Sequence, residues 1–105
     1  MIWRKHYVCI SCKLGVKEKE LEDIHSEIIG EARECFGRFA LPVLVRGGIP
    51  SDQAYPHAKN SIAKEPLEIS LCLLNRPSEL RELLDEAIRK KSTIKALCKI
   101  PYKSQ

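Results

Sequence analysis

The feature that most narrows the fold is an alternation. Three short apolar runs are separated by stretches with helical periodicity, in the order strand, helix, strand, helix, strand, helix. Residues 2 to 13 read as the first strand, centred on Tyr7, Val8, Cys9 and Ile10, a run rich in aromatic and β-branched residues. Residues 17 to 36 read as a long helix, because Leu21, Ile24, His25, Ile28, Ala32, Cys35 and Phe36 recur three or four positions apart. Gly37 is its expected stop. Residues 38 to 46, "RFALPVLVR", read as a second strand. Pro42 belongs at the start of that strand, since proline cannot donate to a ladder. A short helix over 52 to 64, interrupted near Pro56, a third strand over 67 to 74 and a leucine-striped helix over 78 to 91 complete the pattern. Strands joined through helices need crossovers, so the sheet is expected to be mostly parallel or mixed, with helices on both faces in three layers.

The 105 residues suffice for one α/β domain, with residues 92 to 105 as a C-terminal tail. No apolar run approaches the roughly 20 residues of a membrane span. The N-terminus lacks the long apolar stretch of a secretory signal. A cytoplasmic protein with no membrane partner is therefore expected. Five cysteines are an odd count, and in a reducing compartment they are expected to be free. The formal net charge of +4 is compatible with a polyanionic partner without requiring one.

Cys9 and Cys12 form a C-x-x-C. A redox pair of this spacing opens a helix, and a zinc pair needs two further ligands. Here the pair lies inside a strand, where positions three apart point to opposite faces. The thiols are expected to be structural. The same alternation puts Ser11 and Lys13 on one face at the strand's end, just before a helix loaded with Glu18, Glu20 and Glu22. A lysine beside carboxylates suits metal-assisted phosphodiester hydrolysis, in which acids hold the cation and the lysine steadies the attacking water.

These residues carry a resemblance. "YVCISCKLGV", "GRFALPVLVRGG" and "LEISLCLL", each followed by a helix, resemble the second half of the PD-(D/E)xK nuclease fold, and most closely the nuclease-like domain that follows a CARF sensor domain in some CRISPR-associated proteins. The resemblance implies a truncated restriction-endonuclease-like domain, nucleic acid as partner, and Mg²⁺ or Mn²⁺ as cofactor if the domain cleaves. Lys13 matches the motif lysine. Ser11 stands where the family has an acid, and serine is a poor ligand for such a cation. The family's aspartate comes from an upstream hairpin, and residues 1 to 12 contain no acid. Glu18, Glu20 and Glu22 are the candidates to take over metal binding. A degenerate or partial nuclease domain follows as the expectation.

Arg46 ends the second strand beside "GGIP", and ligands of α/β sheets sit beyond the carboxyl ends of the strands. Lys13 and Arg46 are thus candidate phosphate contacts, with Lys90 and Lys91 of the basic C-terminal region. His25 reads as a boundary residue of its helix, and His6 and His57 show no partner in the sequence. The reading from another class is a non-catalytic homodimeric module, in which an exposed edge strand pairs with its own copy.

Overall fold

A computed structural model describes residues 2–103, and side chains as far as Lys91. It is a small α/β domain built on a four-stranded mixed sheet of order β1-β2-β3-β4. The strands are β1 (Ile2–Trp3), β2 (His6–Lys13), β3 (Ala40–Arg46) and β4 (Leu67–Ser70). The helices are α1 (Leu21–Phe36), α2 (Ala54–Ser61) and α3 (Pro77–Lys103). β2, β3 and β4 run parallel, and β1 is antiparallel to β2.

Five local readings change. The expected first strand is a hairpin, because Arg4 and Lys5 both adopt positive φ and reverse the chain between Trp3 and His6. Neither residue is a glycine or asparagine, so the usual sequence sign of that turn is missing. Trp3 Nε1–H donates to Asp85 of α3 at 2.7 Å and Arg4 Nε–H donates to the same carboxylate at 2.6 Å, which ties the hairpin down. Pro42 is the third residue of β3 and fully buried. The β3–β4 ladder begins only at Val43 opposite Leu67, so Pro42 lies before it. Pro56 does not interrupt α2, because it falls in the first turn, where backbone N–H groups lack helical partners in any case. The third apolar run yields only four strand residues before turning into a 3₁₀ segment, Leu71–Asn75. The tail is not a separate element, since α3 continues through Lys103.

Alternation along the strands divides the core. One face presents Val8, Leu41, Val43, Val45, Leu67 and Ile69, which cluster with Leu83, Leu84 and Ala87 of α3. The opposite face carries Ser11, Leu44 and Glu68 in one register row, and Lys13, Arg46 and Ser70 in the next. That face is covered by α1, whose buried residues are Ile28 and Ala32. Tyr7 stacks on Phe36 at the end of α1, with ring centroids 4.3 Å apart.

α2 closes the outer edge of β4. Glu68 N–H donates to the Ser61 hydroxyl at 3.0 Å, and that hydroxyl donates to the Ala58 carbonyl at 2.8 Å. An edge strand's open backbone is thereby capped by a side chain. Ala54, Ala58 and Ile62 turn from the same helical region into the α3-side cluster. At the opposite flank β1 covers only His6 and Tyr7 of β2. Residues 8–13 of β2 have no strand on their outer side among the described residues. Ile10, 50% exposed, lies on that stretch.

Candidate functional site

The parallel register brings Lys13 and Arg46 side by side. They are direct partners at the carboxyl ends of β2 and β3, on the face that looks toward α1. The turns beyond them are held close, because a Cβ on Gly47 would meet the Leu14 carbonyl oxygen at 2.8 Å. Glycine is what lets those two backbones approach. Lys13 is exposed, with no hydrogen-bond or ion-pair partner among the described residues. Ser11 sits one row further in, half-buried on the same face.

Beside this pair lies a cluster that sequence reasoning treated only in pieces. Glu68, in the second position of β4, is buried, with its side chain 9% exposed. A buried carboxylate must be paired to stay charged, and this one has three partners. His25 of α1 donates from Nε2–H to Oε2 at 2.5 Å. His57 of α2 donates from Nε2–H to Oε1 at 2.9 Å. Arg46 Nη1–H donates to Oε1 at 3.1 Å, with its own side chain 17% exposed. Burial pushes the Glu68 carboxyl up, but the hydrogen bonds from His57, Arg46 and His25 outweigh that and hold it below the ordinary range. An ionised carboxylate only accepts. Both imidazoles therefore carry a proton on Nε2, and neither Nδ1 has a hydrogen-bond partner among the described residues.

His25 and His57 line one cavity of about 260 Å³ together with Asn60, Lys64, Glu65 and Glu68. Glu65 is engaged elsewhere, accepting from Arg33 at 2.6 Å. The sequence held one usable sign of this arrangement. Glu68 is a lone acid in an otherwise apolar run, and the two helices that come before that run in the sequence each carry a histidine, His25 and His57. A buried acid demands partners.

The other expected site residues are not brought to this place. Glu18 and Glu20 lie in a 3₁₀ turn after β2, and Glu22 lies in the first turn of α1. All three are exposed. Among the described residues, no group of three or more His, Cys, Asp or Glu is arranged to hold a metal ion. The three glutamates thus do not fit as a Mg²⁺ or Mn²⁺ ligand set. Their position is the one the helix dipole favours for acids.

Lys90 and Lys91 stand at the other end of the sheet. α3 runs back against the strands, and the Lys91 ammonium donates to the carbonyl of Ala40, the first residue of β3. It also lies 3.8 Å from Glu65. Burial pulls its pKa down, with Glu65 partly opposing that. Lys91 is an inward structural cation and Lys90 an exposed one. Neither joins Lys13 and Arg46. Cys9 and Cys12 do point to opposite faces of β2, and the described cysteines Cys9, Cys12, Cys35 and Cys72 are free.

No family model, no curated protein and no solved structure matches this chain. Among the described residues, no helix is long and apolar enough to cross a membrane.

Proposed function

We propose that the protein binds the phosphate backbone of nucleic acid at the carboxyl ends of β2 and β3. The observation that carries this reading is the register pairing of Lys13 with Arg46. It sets an ammonium that has no partner among the described residues next to the Arg46 guanidinium, where α/β sheets present their ligands. The net charge of +4 is compatible with such a polyanion. On this reading the domain is a restriction-endonuclease-like relative of the PD-(D/E)xK nucleases, of the kind found in CRISPR-type defence. The order β2, α1, β3 with a lysine ending β2 supports that kinship. Its place is the cytoplasm, where free thiols persist. Ser11 and the exposed glutamates leave it without the family's metal ligands, so binding rather than metal-assisted cleavage is the expected activity.

The test is a gel shift on labelled single- and double-stranded DNA and RNA, with wild type and Lys13→Ala, in EDTA and in Mn²⁺. Retarded complexes that weaken in the variant support the reading. Metal-dependent cleavage lost in the variant would restore a working metal site. No retardation on any substrate removes the proposal.

A second reading rests on the outer edge of residues 8–13 of β2, which has no strand beside it among the described residues. Its open backbone and the exposed Ile10, Ile2 and Leu14 suit strand pairing with a second copy of the chain. Light scattering across a hundredfold range of concentration tests it, and a constant monomer mass removes it.

A further inference from the structure

Two imidazoles held by one carboxylate are more than an anchor for that carboxylate. Glu68 fixes both rings through Nε2 and leaves both Nδ1 atoms without a partner among the described residues. The rings are 29% and 34% exposed for His25 and His57, so neither is sealed in the core. They come from different helices and meet at the same cavity. A neutral imidazole with a free Nδ1 is a base, and a protonated one is an acid. The cavity therefore presents two imidazoles oriented from behind by one shared carboxylate, and such a pair can take and give a proton when one ring is neutral and the other protonated.

The surrounding charges indicate the substrate. Glu68 is neutralised by Arg46, and Glu65 by Arg33 and Lys91. Lys64, exposed at the cavity wall, has no ion-pair partner among the described residues and is the surplus charge there. A volume of about 260 Å³ falls just below the usual range for small-molecule sites. It suits one segment of a chain rather than a whole free ligand. Lys13 and Arg46 lie on the same sheet face, and Arg46 contacts the same Glu68 carboxylate as the two histidines. Where no group of residues is arranged to hold a metal ion among those described, the reaction open to an acid–base pair on a phosphodiester is one in which the substrate brings its own nucleophile. RNA does so through its 2′-hydroxyl.

We propose that His25 and His57, oriented by Glu68, form a metal-independent acid–base pair that cleaves RNA. One imidazole takes the proton of the 2′-hydroxyl at Nδ1 while the 2′-oxygen bonds to phosphorus. The bond from phosphorus to the 5′-oxygen breaks, and that oxygen takes the Nδ1 proton of the other, protonated imidazole. The products are a 2′,3′-cyclic phosphate and a 5′-hydroxyl, and no further reactant is consumed. This rests on the nucleic-acid-binding reading, since the strand must first be held by Lys13 and Arg46.

The experiment uses the full chain in EDTA with three labelled oligonucleotides of one sequence: RNA, 2′-O-methyl RNA and DNA. Binding is followed by fluorescence anisotropy in the same samples. The expected result is cleavage of RNA alone, with 2′,3′-cyclic phosphate ends. The rate should fall about 100-fold or more in His25→Gln and in His57→Gln, the contribution usual for one general acid or base. Thermal melts establish that the variants are folded, and the 2′-O-methyl control is independent of them. RNA that binds but stays intact overturns this inference and leaves the binding reading standing. RNA that neither binds nor is cut overturns both. Cleavage of the 2′-O-methyl strand, or cleavage unchanged in both folded histidine variants, overturns the acid–base assignment.

Discussion

Replacing Glu68 by glutamine removes one charge and almost no volume, which isolates what the carboxylate does. In the native protein it accepts from His25, His57 and Arg46. Glutamine keeps one acceptor oxygen and turns its amide hydrogens toward groups that are themselves donors. A hydrogen bond to a charged group contributes about 1.5–3 kcal/mol. Three of them do not sum, because the partners are partly exposed and recover water. A loss of about 2–4 kcal/mol is the resulting estimate, within and just below the range for removing one partner of a buried ion pair. For a domain of this size that lowers the melting temperature by about 8–16 °C. The assay is thermal and urea unfolding of both proteins at pH 7, with Glu65→Gln as a control on a more exposed acid. The pH dependence has a definite sign. The folded-state pKa of Glu68 lies below the ordinary value of 4.5. Its stabilisation is therefore complete above that value and is lost as pH falls through the lower folded one. The gap between wild type and Glu68→Gln should be full at pH 6 and shrink toward pH 3. Equal stability at pH 7, or a gap that widens in acid, would refute the claim that a charged Glu68 organises the cluster.

Two further perturbations probe the scaffold. Gly47→Ala should destabilise by about 1–3 kcal/mol in urea unfolding, because its Cβ would press on the Leu14 carbonyl oxygen at 2.8 Å. The same variant should weaken nucleic-acid binding, since that contact aligns the turns beyond Lys13 and Arg46. Ile10→Lys should change stability by no more than about 0.5 kcal/mol, as expected for a half-exposed side chain away from the core. If copies of the chain pair along β2, the same variant should abolish that association in concentration-dependent light scattering.

The alternation of apolar and amphipathic stretches made the α/β class legible, because each run had the length and periodicity of its element. The junctions were less so. Arg4 and Lys5 reverse the chain with none of the residues that usually mark a hairpin. Leu71 to Leu74 continue an apolar run but leave the sheet as a 3₁₀ turn, and hydrophobicity alone does not distinguish the two. Lys13 and Arg46 could be placed at strand ends from the sequence, since parallel strands align their carboxyl ends. The histidine cluster could not. It depends on Glu68 standing opposite Leu44 and on where α1 and α2 meet that row, a tertiary register that no local pattern encodes. The acid-rich start of α1 lies outside that cluster. Its charges match the helix dipole and point to solvent, so their abundance carried no information about a site.

The most direct test of the account is the salt dependence of nucleic-acid affinity for wild type and Lys13→Ala. Lys13 is exposed and its side chain has no partner among the described residues, so its loss reads on the ligand. Each phosphate contact on a single strand contributes a slope of about −0.7 to log K against log salt. The account predicts a clearly negative slope for wild type, and one shallower by about 0.7 with weaker binding for the variant. A flat salt dependence, or identical slopes and affinities for the two proteins, would contradict it.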